Sequence, residues 1–121
     1  MPSLRFPKSA RLNRAGEFAR MRHEGEPFHG KLMILSVLKV EAAATTRIGI
    51  VTSRRVGGAV LRNRARRRLR EIFRLAQGEI RHGLWLVLIA RPAAATAEYS
   101  ALREDWTRLA RRSSILAQPC S

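Results

Sequence analysis

Acids are scarce in this sequence: 9 Asp and Glu face 24 Lys and Arg, a formal net charge of +15 at pH 7. So unbalanced a surface cannot neutralise itself with salt bridges, so solvent must screen it or a polyanion must cover it. Nucleic acid is the commonest such partner for a folded basic domain, and an acidic membrane surface is the rival. Cysteine is nearly absent. The one thiol, Cys120, excludes a disulfide framework, fits a reducing compartment, and at its near-terminal position reads as incidental. The three histidines, His23, His29 and His82, are scattered without metal-site spacing, so neither a metal nor a catalytic role is expected of them. No carboxylate pair and no Ser/Cys–His arrangement is visible, and no catalytic residue is expected on the protein. Glu104 and Asp105 are adjacent, but neighbours on a helix point in different directions. Long apolar runs are also missing. Nothing approaches the roughly 20 residues that span a bilayer, and the opening "MPSLRFPKSARLNR" lacks the apolar centre of a secretory signal. A cytoplasmic location without a membrane partner is expected.

Hydrophobic residues nevertheless make up 45% of the 121, the fraction of a folded domain rather than a basic disordered tail. A chain of this size buries roughly two-thirds of its unfolded surface and needs no metal or disulfide staple. No repeat or low-complexity linker divides it. A single domain over 1–121 is expected, with a basic arm at 1–12 and a frayed tail from about 114 to 121. Asn13 is the candidate N-cap of a short helix that reaches about His23 and ends at Gly25, with Phe18 and Met21 on one face. "KLMILSVLKV" (31–40), "RIGIVTS" (47–53) and "LWLVLIAR" (84–91) read as strands, the last nearly all apolar and therefore central. "EAAATT" is the connection between the first two. Pro92 stops the third, and Thr96 is the candidate cap of a last helix in which Tyr99, Leu102, Trp106 and Leu109 recur at helical spacing. Trp85, Trp106, Phe73 and Tyr99 are most simply core residues. Helix, strands, helix, strand, helix is the order of an α+β or α/β sandwich.

Segment 59–74, "AVLRNRARRRLREIFR", carries seven arginines and a single acid, Glu71. With about 100° of turn per residue, Leu61, Ala65, Leu69, Ile72, Phe73 and Ala76 fall within one apolar stripe. Arg66, Arg67, Arg70 and Arg74, with Asn63 among them, fall opposite it. Arg62 and Arg64 lie at the borders, where long side chains bury their stems and project their heads. One face thus packs on a sheet while the other forms a basic ridge without the acids that a solvated, salt-bridged face would have. Arg54 and Arg55 extend the basic surface toward the start of the helix, where unpaired N–H groups also favour phosphate. Gly57-Gly58 opens the segment as a turn; the lysine and hydroxyl of a P-loop are missing. Only Lys8, Lys31 and Lys39 are lysines, so the choice of arginine at any one site says less than its placement.

The run "RIGIVTSRRVGGAVLRNRARRRLREIFR" resembles the signature of the protein subunit of bacterial ribonuclease P. There a strand and paired basic residues lead through a Val-Gly turn into an "RNR" helix. The agreement extends to "RLNRAGEF" with its Phe18, the apolar strand after Gly25, "LIARP" and the closing amphipathic helix. Two positions depart from the pattern. Trp85 stands where an acid is common, and Arg22 where a second aromatic is frequent on the first helix.

The resemblance implies a four-stranded sheet flanked by helices in the order α-β-β-β-α-β-α, with a left-handed βαβ crossover, a rare connection in general. It implies an endoribonuclease that matures tRNA 5′ ends, with RNA as the catalyst, magnesium serving the RNA-catalysed reaction and no cofactor on the protein. One protein would bind one catalytic RNA through Arg54, Arg55, Arg62, Asn63, Arg64, Arg66, Arg67 and Arg70. The 5′ leader of precursor tRNA would lie in a cleft with Phe18 and Arg22. Pattern alone leaves Phe18 open between core and stacking platform; the resemblance favours the platform, since every base offers a π-face. A stand-alone nuclease lacks a catalytic constellation here. A DNA-reading helix-turn-helix would pair two helices across a short turn, whereas this helix follows a strand and Gly-Gly. A membrane-surface helix would leave the sheet uncovered.

Overall fold

The computed structural model describes residues 15–41 and 44–116. Its elements run α1 (Ala15–Glu24), β1 (Glu26–His29), β2 (Met33–Lys39), β3 (Arg47–Thr52), α2 (Ala59–Ala76), β4 (Leu84–Ala90) and α3 (Tyr99–Arg112). The strands form one sheet in the order β1-β2-β4-β3. β1–β2 and β2–β4 pair antiparallel, while β3–β4 pair parallel through α2 as the crossover. This is the expected α-β-β-β-α-β-α order. Asn13 lies outside the described residues, whereas Gly25 ends α1 as expected, its N–H bonded to Met21 O at 2.9 Å.

Alternation along β4 decides how the sheet is covered. Leu84, Leu86, Leu88 and Ala90 face one side, where α2 presents Ala65, Leu69, Ile72, Phe73 and Ala76 and α3 presents Leu102, Trp106, Leu109 and Ala110. Phe73 and Trp106 meet edge to face, ring centroids 6.3 Å apart. Each fully buried aliphatic side chain here contributes about 1.5–3 kcal/mol. On the other side Trp85, Val87 and Ile89 join Leu38, Val51, Phe18 and Met21 under α1. That second cluster is small because α1 covers only part of its face. The exposed remainder is where the cleft lies.

Several expectations are corrected. β1 is a short strand, "EPFH", with too little apolar character to stand out; its pairing with β2 creates it. Thr96 does not cap α3: Pro92–Ala95 forms a 3-10 turn that Thr96 closes, and Glu98 occupies the N-cap. Tyr99 is 37% exposed rather than core. Leu61 is likewise 37% exposed, so the buried stripe of α2 starts at Ala65. Ile115 and Leu116, placed in the expected frayed tail, are held to the body: Ile115 is buried and its carbonyl accepts from Arg81 N at 2.8 Å, and Leu116 bridges Ile80. Residues 117–121, Cys120 included, and the arm at 1–12 lie outside the described residues.

Asp105 has a role that its residue type did not announce. Buried on α3, it accepts hydrogen bonds from the backbone N–H groups of Lys31 (3.1 Å), Leu32 (2.9 Å) and Met33 (3.2 Å), which open β2. Gly30 lets the connection approach, since any Cβ there would collide with the Asp105 carboxylate.

Candidate nucleic-acid interface

Ser53 ends β3, and its Oγ accepts from Arg55 N at 3.3 Å, turning Arg54 and Arg55 into a 3-10 turn with both side chains exposed. Val56 anchors the turn in the core. Gly57 then takes φ 136°, a region that L side chains rarely adopt, and a Cβ there would strike Leu61. The chain thus reverses over two glycines, and Gly58 becomes the N-cap of α2 without a side-chain cap bond. Turn chemistry therefore places the Arg54–Arg55 pair beside the start of the arginine helix.

Along α2 the arginines divide by what they touch. Arg64, Arg67 and Arg70 are exposed, as is Asn63. Val60, 81% exposed, joins Asn63, Arg64, Arg67 and Arg68 around a shallow groove. Arg62 is half-buried, and its Nε is buried with no hydrogen-bond partner among the described residues, a donor in want of an acceptor. Arg66 is less free than its angular position promised: it donates to Asn63 Oδ1 at 3.0 Å and to Thr52 Oγ1 at 2.9 Å, tying α2 to the end of β3. Arg74, expected on the open ridge, pairs with Glu71 at 2.6 Å; the bond holds the Glu71 carboxyl below its ordinary range and raises Arg74. Arg68 turns inward to the carbonyls of Ala94 (3.1 Å) and Ala97, and burial, helped by neighbouring Arg64, lowers it. Its role is to fasten the connection before α3.

The second feature is a cleft of about 420 Å³ lined by Phe18, Met21, Arg22, Gly25, Pro27, Ser36, Val51, Val87 and Ile89. Phe18 is half-buried on the Met21–Val87 cluster and Arg22 is exposed at the rim. The open alternatives for Phe18 thus meet halfway, one part of the ring packing and the other lining the cleft. At the end of β3, Thr52 holds Arg66 on the α2 side of the sheet, while its neighbour Val51 lines the cleft on the opposite side. Sequence reasoning missed this tie, because Thr52 carries no charge and its partner lies on another element.

Among the described residues, no group of three or more His, Cys, Asp or Glu side chains is placed to hold a metal ion, and no helix is long and apolar enough to cross a membrane. Among the described residues that line the cleft, none pairs a nucleophile with a base. The surface offers cations, amide groups and an aromatic face, the chemistry of binding a phosphodiester chain with partly unstacked bases.

Comparison with known proteins agrees with that chemistry. A family profile described as Ribonuclease P matches residues 6–114. The chain is 42% identical over 113 residues to the ribonuclease P protein component of Chloroflexus aurantiacus, covering 93% of this chain and 83% of that protein. It is 37% identical over 109 residues to that of Symbiobacterium thermophilum, covering 90% and 95%. The fold is similar to the RNase P protein of Staphylococcus aureus, with a TM-score of 0.81 at 22% identity over 91% of this chain and 100% of that one. It is also similar to that of Thermotoga maritima, with a TM-score of 0.74 at 29% identity over 84% and 96%. With a profile that spans most of its length and relatives this similar along nearly all of theirs, the chain belongs to the ribonuclease P protein family.

Proposed function

We propose that this chain is the protein subunit of a ribonuclease P ribonucleoprotein that removes the 5′ leader from precursor tRNA. The RNA subunit is the catalyst, and the protein binds it with one protein per RNA. Arg54, Arg55, Arg62, Asn63, Arg64, Arg66, Arg67 and Arg70 meet that RNA. Arginine forks grip phosphate oxygens in pairs, and neutralised phosphates release counterions, which drives association. The leader enters the cleft, where a base stacks on Phe18 and the exposed Arg22 guanidinium meets phosphate. Holding both partners at once turns leader docking into an event within one assembly, which raises its effective concentration. Magnesium accompanies the RNA in this reading. The assembly works in the cytoplasm.

The observation that carries the reading is the outer face of α2. Arg64, Arg67 and Arg70 are exposed in front of a buried apolar stripe, and a buried Arg62 Nε lacks an acceptor among the described residues. Reconstitution tests it. Protein freed of RNA should leave precursor tRNA intact, and adding its cognate RNA at moderate magnesium should restore 5′ cleavage. Cleavage by rigorously RNA-free protein overturns the assignment of catalysis to the RNA.

A further inference from the structure

Trp85 is neither core nor free surface. It is half-buried in the small cluster under α1, with the Arg20 guanidinium 5.1 Å and the Arg47 guanidinium 5.6 Å from its ring centroid. Arg47, its register partner on β3, also pairs with Glu17 of α1, with a second contact at 3.2 Å. Both Glu17 and Arg47 side chains are largely withdrawn from solvent, at 13% and 25% exposed. Arg20 in turn pairs with Glu24 at 2.9 Å, one turn along α1. An aromatic ring, two cations and a carboxylate thus fasten one helix to the sheet, in a half-buried setting where such contacts outweigh those at an open surface.

The flank of α1 that they hold is the informative part. With Phe18 at zero and about 100° per residue, Arg22 falls at about 40° and Gly25 at about 340°, the side that lines the cleft. Met21, at about 300°, points down and is buried. Glu17 and Arg20 fall at about 260° and 200°, away from the cleft. None of Glu17, Arg20, Arg47 and Trp85 lines the cleft. We infer that Trp85, Arg47 and Glu17 are positioning residues: they brace α1 from behind and so set where Phe18 and Arg22 stand over the cleft.

The inference rests on the cleft being the leader site. Two readouts separate it from that reading: hydrogen exchange of the α1 amides in the free protein, and the ratio of affinities for leader-bearing and mature tRNA in the assembled ribonucleoprotein. Trp85→Leu, and independently Glu17→Gln, should speed exchange within 15–24 alone and lower the ratio about five- to tenfold, the scale of one such contact. Affinity for the catalytic RNA should hold, because α2 is untouched. Trp85→Phe keeps an aromatic face and should preserve the ratio within about twofold. Unchanged α1 exchange in both folded variants overturns the brace. So does faster α1 exchange with an unchanged ratio, or protection lost evenly along the chain. A wild-type assembly that does not distinguish the two tRNAs overturns the leader reading of the cleft instead, and α1 exchange then decides the brace alone.

Discussion

Asp105 and Phe18 show how much a single side chain can decide. The Asp105 carboxylate is the acceptor for three consecutive backbone N–H groups at the start of β2. Asp105→Ala would leave the buried Met33 N–H and the part-buried Lys31 and Leu32 N–H groups without this acceptor, so a loss of about 2–3 kcal/mol is expected. Asp105→Asn keeps one carbonyl and should lose less; urea midpoints of the two variants read the difference. Adjacency to Glu104 hid this role, because the partners of Asp105 lie on another element and follow no local spacing. Phe18 was the opposite case, visible as a residue of interest with two roles open. Half-buried, its truncation to alanine should cost about 1–2 kcal/mol of stability, short of the 3–5 typical of a fully buried phenylalanine. Affinity for leader-bearing precursor should fall by about 1–3 kcal/mol while mature tRNA binding stays near wild type. Equal losses for both tRNAs would remove Phe18 from the leader site.

At the scale of the element, α2 was the most legible part of the chain, because helical periodicity fixes which side chains share a face whatever they pack against. The buried stripe of Ala65, Leu69, Ile72, Phe73 and Ala76 is the expected one. The errors sit where tertiary contacts intervene. Leu61 is drawn out of the stripe to lie over Gly57, and Arg66 leaves the open ridge for Thr52. The tied Arg66 and the exposed Arg67 make different variants. Arg67→Ala removes an exposed cation and should reduce the slope of log affinity against log salt by about 1 with an unchanged unfolding midpoint. Arg66→Ala should flatten the slope similarly and also lower the midpoint, by about 1 kcal/mol, since it cuts the tie between α2 and β3. Equal midpoints would show that the Thr52 bond holds nothing in place.

For the molecule as a whole, charge opposes folding and favours assembly. A net charge of +15 repels itself in the free protein, so added salt should raise its melting temperature by screening. The same salt should weaken RNA binding steeply, because counterion release is what drives it. Opposite salt responses of stability and affinity, read by thermal melts and filter binding on one preparation, are the expected signature; parallel responses would mean that the charge is already compensated within the fold. The order of helices and the place of β4 at the centre could be read from apolar runs, whereas β1 could not, since only its pairing with β2 makes it a strand. That central position has a consequence for biosynthesis. β4 is the last strand made, yet β2 and β3 both pair with it and not with each other. While a ribosome is still producing residues 84–90, both strands wait with unpaired edges, and α2 has already emerged without a sheet to lie on. Until β4 and then α3 are made, the arginines of α2 are carried on a chain that lacks the sheet and core that place them.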